Sequence, residues 1–251
     1  MNIDILERLS VKIFADGADK SGMLEMYAKP YIKGFTTNPT LMRKAGVSDF
    51  EGFSREMLRL IPDRPISLEV FADDLDEMEK QARYIATWGN NVYVKIPVTD
   101  TRGCATTLLV RKLSGDGIKV NVTAIMTTDQ VRMVREALLE PTPAYVSVFA
   151  GRIADTGRDP IPLMREALNI LEETPHAELI WASPRELLNI FHADSIGCHI
   201  ITVTNDILKK LVLIGKDLTE YSLETVQMFF DDASTVGYRI NTTHSATEPV
   251  S

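Results

Sequence analysis

Within the run Asn91-Val92-Tyr93-Val94-Lys95-Ile96-Pro97-Val98-Thr99, a lysine occupies the middle of the most strand-like stretch of the chain. An ammonium turned inward from a β-branched strand is costly unless it is paired or loses its proton, and a desolvated lysine that sheds its proton is a nucleophile. The chemistry this suggests is a Schiff base with a carbonyl substrate. Other reactive side chains stand at similar places. Asp16 closes Ile13-Phe14-Ala15-Asp16, Asn38 follows Gly34-Phe35-Thr36-Thr37, and Glu69 and Thr123 sit in the third and fifth apolar runs. The sixth run leads through Ser147, Phe149 and Arg152, and the seventh ends in Ala182-Ser183-Pro184-Arg185. Taken singly, a strand-end Asp or Asn is most often a helix cap, and an interior Glu can simply balance a nearby Lys. Two carboxylates, a lysine, hydroxyls and arginines at corresponding strand ends are harder to explain as unrelated packing choices.

The elements that would carry these groups alternate. Strand-like runs recur near Val11–Ala15, Tyr31–Phe35, Ile66–Phe71, Val92–Ile96, Lys119–Ile125, Tyr145–Phe149, Leu179–Ala182 and Cys198–Val203. Helical periodicity separates many of them, over Met78–Trp88, Thr106–Leu113, Thr128–Leu139, Ile161–Leu171 and Asn205–Ile214. Eight strands, each followed by a helix, predict an α/β fold, a single (β/α)8 TIM barrel, for which roughly 250 residues is typical. Such barrels place their active sites at the carboxyl ends of the strands, where the polar residues above fall. An open dinucleotide-binding sheet should show a glycine-rich turn after an early strand, and no GxGxxG occurs.

Beyond the eighth unit, Ser222–Tyr238 carries Leu223, Val226 and Phe230 at helical spacing, with Met228 and Phe229 adding apolar surface. This additional C-terminal helix can cap the barrel or dock on a neighbouring subunit. Residues 1–240 are therefore expected to form the barrel with its C-terminal helix, and the polar 241–251 a flexible tail.

A formal net charge of −8 argues against a nucleic-acid-binding surface while leaving room for a local anion pocket. Met1–Ser10 lacks the basic start and long apolar stretch of a signal peptide, and no apolar run is long enough to span a bilayer. Cys104 and Cys198 form no CxxC pattern, so a reduced, cytoplasmic protein is expected. His176, His192, His199 and His244 show no zinc-ligand spacing, and nothing marks the phosphate cup of a pyridoxal-phosphate enzyme.

Two motifs, Gly34-Phe35-Thr36-Thr37-Asn38-Pro39-Thr40 and Val94-Lys95-Ile96-Pro97-Val98-Thr99, resemble those of the transaldolases, and the chain length resembles the compact branch that includes fructose-6-phosphate aldolase. The resemblance runs from about Val11 to Tyr238. It implies Lys95 as the imine-forming nucleophile, Asp16 as proton shuttle, and Glu69 with Thr123 as holders of a catalytic water. It implies Asn38 and Ser147 as ligands of a dihydroxyacetone unit, and Arg152, Ser183 and Arg185 as ligands of a distal phosphate. Glu69 and Phe149 match transaldolases where the aldolase branch carries glutamine and tyrosine, which favours transfer over hydrolysis because phenylalanine has no hydroxyl to offer a hydrolytic water.

By the same resemblance the reaction needs no cofactor or metal. Its partners are a sugar-phosphate or other anionic sugar donor and an aldose acceptor, in carbohydrate metabolism of the pentose phosphate type, with no nucleic acid or membrane involved. A homo-oligomer is expected, with the decamer of compact relatives as its model. Pro184, Thr204 and Gly17 depart from the family pattern, so a fructose-6-phosphate aldolase-type lyase, a transaldolase for a sulfonated or extended sugar, and a noncatalytic sugar-phosphate-binding barrel remain alternatives.

Overall fold

In the computed structural model, which describes residues 5–6 and 8–242, eight parallel strands close into a barrel in sequence order. They are β1 (Lys12–Asp16), β2 (Ile32–Thr36), β3 (Ile66–Glu69), β4 (Val92–Pro97), β5 (Val120–Ile125), β6 (Ala144–Val148), β7 (Ala177–Trp181) and β8 (Ile200–Thr204). β8 pairs with β1, with Asp16 in register with Thr204, so the barrel leaves no sheet edge. The connecting helices are α1 (Lys20–Tyr27), α2 (Pro39–Lys44), α3 (Phe50–Leu60), α4 (Leu75–Ala86), α5 (Thr107–Gly115) and α6 (Thr128–Ala137). They continue with α7 (Ala150–Ala154), α8 (Ile161–Leu171), α9 (Leu188–Ser195) and α10 (Asn205–Leu208), the last running into a 3-10 turn over Lys209–Leu213.

The barrel is the α/β architecture expected from the alternation, with shifted boundaries. Helices α1, α2, α3, α7 and α9 lie outside the segments where helical periodicity was expected. Several are short, and Gly22 and Gly52 interrupt the helix-forming character of α1 and α3. Caps compensate: Asp19, Asp49 and Asp74 accept from backbone N–H groups of the first turns of α1, α3 and α4, and Thr127 with Gln130 forms a capping box at α6.

Period-2 geometry decides which residues face the barrel axis. On β4, Val92, Val94 and Ile96 are buried beneath the helices, and the alternate residues Tyr93 and Lys95 turn inward. The interior is a packed plug: Phe14, Tyr145, Ile180 and Ile200 form one buried cluster, with Tyr93 stacked on Tyr145 at 3.9 Å and Phe14 edge-on to it at 5.7 Å. Gly34 makes this possible, because a Cβ there would come within 2.5 Å of the Phe14 ring. The aromatic floor closes the barrel axis and leaves the carboxyl ends of the strands to form a cup.

Residues 5–6 and 8–211 form one compact unit, and 212–242 belong to a second built on α11 (Leu218–Val236). Asp217 caps this helix by accepting from the N–H groups of Thr219 and Glu220, and Gly237, at φ 74°, ends it. The helix thus begins four residues before the apolar period becomes visible at Ser222. The expected tail lies outside the described residues from 243 onward. Among the described residues, no helix is long and apolar enough to cross a membrane.

Candidate active site

At the carboxyl ends of the strands, a cavity of about 600 Å³ is lined by every site residue named from the sequence: Asp16, Asn38, Glu69, Lys95, Thr123, Ser147, Phe149, Arg152, Ser183 and Arg185.

Lys95 lies at its base. Its side chain is 7% exposed, and its Nζ lies 3.0 Å from Glu69 Oε2 and donates to the Thr37 carbonyl at 3.0 Å. β3 and β4 dictate this meeting, since Glu69 and Lys95 are register partners on adjacent parallel strands. The cost of an inward lysine is therefore met by pairing. Next along the wall, Thr123 Oγ1 is buried with no hydrogen-bond partner among the described residues. A bulge at Ala124, which adopts φ 62°, breaks the β5–β6 register beside it.

Asp16 ends β1 opposite Thr36 of β2, and its Oδ1 accepts from Thr36 Oγ1 at 2.7 Å. Burial raises its pKa above the ordinary carboxylate range; the Lys95 charge and the Thr36 hydrogen bond oppose that rise, and the Glu69 charge adds to it. A carboxyl held in this way can both take and return a proton.

Asn38 serves the bland role as well as facing the cavity. Its Oδ1 caps α2 by accepting from Leu41 N–H at 3.0 Å, which leaves its Nδ2 protons for a ligand. The Ser147 hydroxyl donates to Asn121 Oδ1 at 2.7 Å, and Asn121 Nδ2 donates to Ser67 Oγ at 2.9 Å, all three side chains being buried. With its own proton committed, Ser147 offers lone pairs to a hydroxyl of a bound molecule.

The far wall is cationic. The Arg152 guanidinium stands 5.8 Å from the Phe149 ring centroid, and Arg185 is held by Asp155 through Nε to Oδ1 at 2.9 Å and a second, short contact from Nη2 to Oδ2. This fork leaves the Nη1 edge of Arg185 free of that pair. Ser183 adopts φ 61°, an uncommon left-handed conformation for a non-glycine residue, and its carbonyl closes on Gly151 so tightly that a Cβ there would lie 1.5 Å from the oxygen. Pro184 follows this strained residue.

Four contributors escaped the sequence reading. Thr36, at the end of β2, stands two residues before Asn38, and Asn121 two residues before Thr123 on β5, a spacing that could have found them. Thr202, whose hydroxyl contacts that of Thr36, belongs to a strand from which no site residue had been expected. Asp155 lies in the loop after α7 and meets Arg185 only across the β6 and β7 connections, so no local pattern marks it.

Comparison with known proteins identifies a family. The family model described as transaldolase/fructose-6-phosphate aldolase matches residues 13–249. The chain belongs to that family. A probable transaldolase of Thermoanaerobacter sp. is 34% identical over 231 residues, covering 92% of this chain and all of the relative. One from Streptococcus equi subsp. zooepidemicus is 35% identical over 88% of this chain and 97% of its own, and one from Dehalococcoides mccartyi is 34% identical over 80% and 90%. Among solved structures, 2,3-dimethylmalate lyase aligns over 97% of this chain and 90% of its own with a TM-score of 0.50 at 11% identity, a likeness of fold alone. For a (β/α)8 barrel of the transaldolase/fructose-6-phosphate aldolase family, the cavity at the strand ends is where the active site is expected.

Proposed function

We propose that this protein is a transaldolase, which moves a dihydroxyacetone unit from a ketose phosphate to an aldose acceptor through a Schiff base on Lys95. The observation that carries the proposal is the pairing of the buried Lys95 with Glu69, with the unpartnered Thr123 hydroxyl and the Asp16 carboxyl in the same cavity.

In this reaction the Lys95 amine, after giving up a proton, attacks the C2 carbonyl of the donor. Loss of water from the carbinolamine forms the imine. Glu69 is 3.0 Å from Nζ and can exchange protons with the amine, while Glu69 and Thr123 together orient the water that leaves and later returns. Asp16 takes the C4 hydroxyl proton as the C3–C4 bond breaks; the bond's electrons pass into the enamine and the shortened aldose departs. The enamine then attacks the acceptor aldehyde, and Asp16 returns its proton to the new C4 oxygen. Addition of water to the imine releases the product and restores the amine.

Asn38 Nδ2 and the Ser147 lone pairs are suited to the dihydroxyacetone hydroxyls, and Arg152, Ser183 and the open edge of Arg185 to a distal anion. That anion contributes binding energy remote from the reacting carbon, which orients the sugar. Glu69 and Phe149 favour transfer over release of free dihydroxyacetone. A homo-oligomer assembled through α11 accounts for the exposed Leu223, Val226, Phe229 and Phe230.

The test is mass spectrometry after borohydride reduction with fructose 6-phosphate, with and without erythrose 4-phosphate. A dihydroxyacetone adduct on Lys95 together with acceptor-dependent sedoheptulose 7-phosphate is the expected result. Acceptor-independent release of dihydroxyacetone would instead make the protein an aldolase, and absence of an adduct would overturn the Schiff-base chemistry. Lys95→Ala should abolish both adduct and turnover.

A further inference from the structure

Asp16 is the last link of a chain of hydroxyls that reaches round the barrel to β8. Thr36 Oγ1 donates to Asp16 Oδ1 at 2.7 Å, and the same oxygen is in short hydrogen-bond contact with Thr202 Oγ1. A threonine hydroxyl has one proton and two lone pairs. Because the Thr36 proton is directed to the carboxylate, the proton in the Thr36–Thr202 contact must come from Thr202. The chain therefore has a direction, Thr202 to Thr36 to Asp16. Thr36 is 2% exposed and Thr202 5%, so solvent is poorly placed to substitute for either donor. Barrel closure is what joins them, since β1 lies between β2 and β8 and pairs with both.

We infer that Thr202 is a positioning residue for Asp16, polarising the Thr36 hydroxyl so that it binds the carboxylate form more strongly and holds one carboxylate oxygen while the other faces the cavity. Hydrogen bonds in series strengthen one another, most where the final acceptor is charged and the surroundings exclude water. Besides this chain, Asp16 is faced by the Lys95 ammonium from β4 and the Glu69 carboxylate from β3, whose charges act on it in opposite directions. Asp206 of α10 lines the same cavity. The hydroxyl chain is the only one of these influences carried by neutral groups, so it persists when Lys95 becomes an imine.

That Asp16 moves the C4 proton rests on the function proposed above; the hydrogen-bond chain itself does not. The experiment accordingly reads the carboxyl directly, by carbon-13 NMR titration of aspartate-labelled full-length protein without substrate, with Asp16→Asn to assign the signal. Thr202→Val should raise the Asp16 midpoint by about 0.2 to 0.7 pH unit, a tenth to a third of a charge-assisted hydrogen bond at the strong end of its range. Thr36→Val, which removes the direct donor, should raise it by about one unit or more. Thr202→Ser should restore the parent midpoint. In a Thr36→Val background, Thr202→Val should add nothing, because the influence of Thr202 passes through Thr36.

An unchanged midpoint in Thr202→Val, or an equal shift in the presence and absence of Thr36, would overturn the inference. Thr202→Ala provides the same readout if the valine variant fails to fold. Borohydride trapping on Lys95 in the same variants tests the proposed reaction separately: a normal adduct with an unmoved midpoint defeats only the relay, and a shifted midpoint without any adduct defeats only the reaction.

Discussion

Glu69 Oε2 and Lys95 Nζ, register partners on β3 and β4, meet at 3.0 Å at the base of a water-accessible cup. The contact keeps a barrel lysine compatible with folding and puts a proton acceptor beside the nitrogen that, in the proposed reaction, must lose its proton. Glu69→Gln retains the shape and removes the acceptor. The rate of borohydride-trappable adduct formation should fall about 100-fold, within the range lost with a general acid–base group. A variant as fast as the parent would contradict the assignment of Glu69.

The raised pKa of Asp16 has a consequence for stability. Burial favours its neutral form, so the folded state holds a proton that the unfolded chain has released, and stability falls as pH rises from the ordinary carboxylate pKa through the folded value. Asp16→Asn removes that penalty. The variant should melt above the parent at neutral pH, and the difference should close at a pH below the ordinary carboxylate range, where the parent is protonated in both states. Calorimetry at the two pH values checks the sign. C–C cleavage should be lost at both.

Asp155 grips Arg185 by two guanidinium nitrogens and sets the direction of its free edge. The pair is about half exposed, so its loss should change folding stability little. Asp155→Asn is expected to raise KM for a phosphorylated donor about tenfold with kcat nearly unchanged, and to have little effect on an unphosphorylated one. A fall in KM would mean that the Asp155 charge repels the anion more than its grip helps.

Gly151 and Ser183 form the tightest approach in the site. Gly151→Ala should cost about 2 kcal/mol or more, because the new methyl would meet the Ser183 carbonyl oxygen, and denaturant melts would show it. Ser183→Gly relieves the left-handed strain and should stabilise the protein by up to about 1 kcal/mol while weakening distal-anion binding.

The role of α11 in assembly is tested by ending the chain at Lys216, before the Asp217 cap. Light scattering should report fewer subunits than in the parent. An unchanged subunit number would exclude assembly through this helix.

Much of the site was legible in the amino-acid sequence because it depends on local period. A lysine between β-branched residues in a strand must face one side or the other, and eight strand–helix alternations place strand-end residues at one mouth of a barrel. Asp16, Glu69, Lys95, Thr123 and the two arginines could all be named on that basis. Their partners could not. The pairing of Arg185 with Asp155, the relay from Thr202 through Thr36 to Asp16, and the chain of Ser147, Asn121 and Ser67 join residues from different strands or loops. Those meetings depend on strand stagger, on bulges such as that at Ala124 and on closure of β8 against β1. Local patterning decides which face a side chain takes; only the closed barrel, with its shear and its loop conformations, decides which polar group across that face receives its proton.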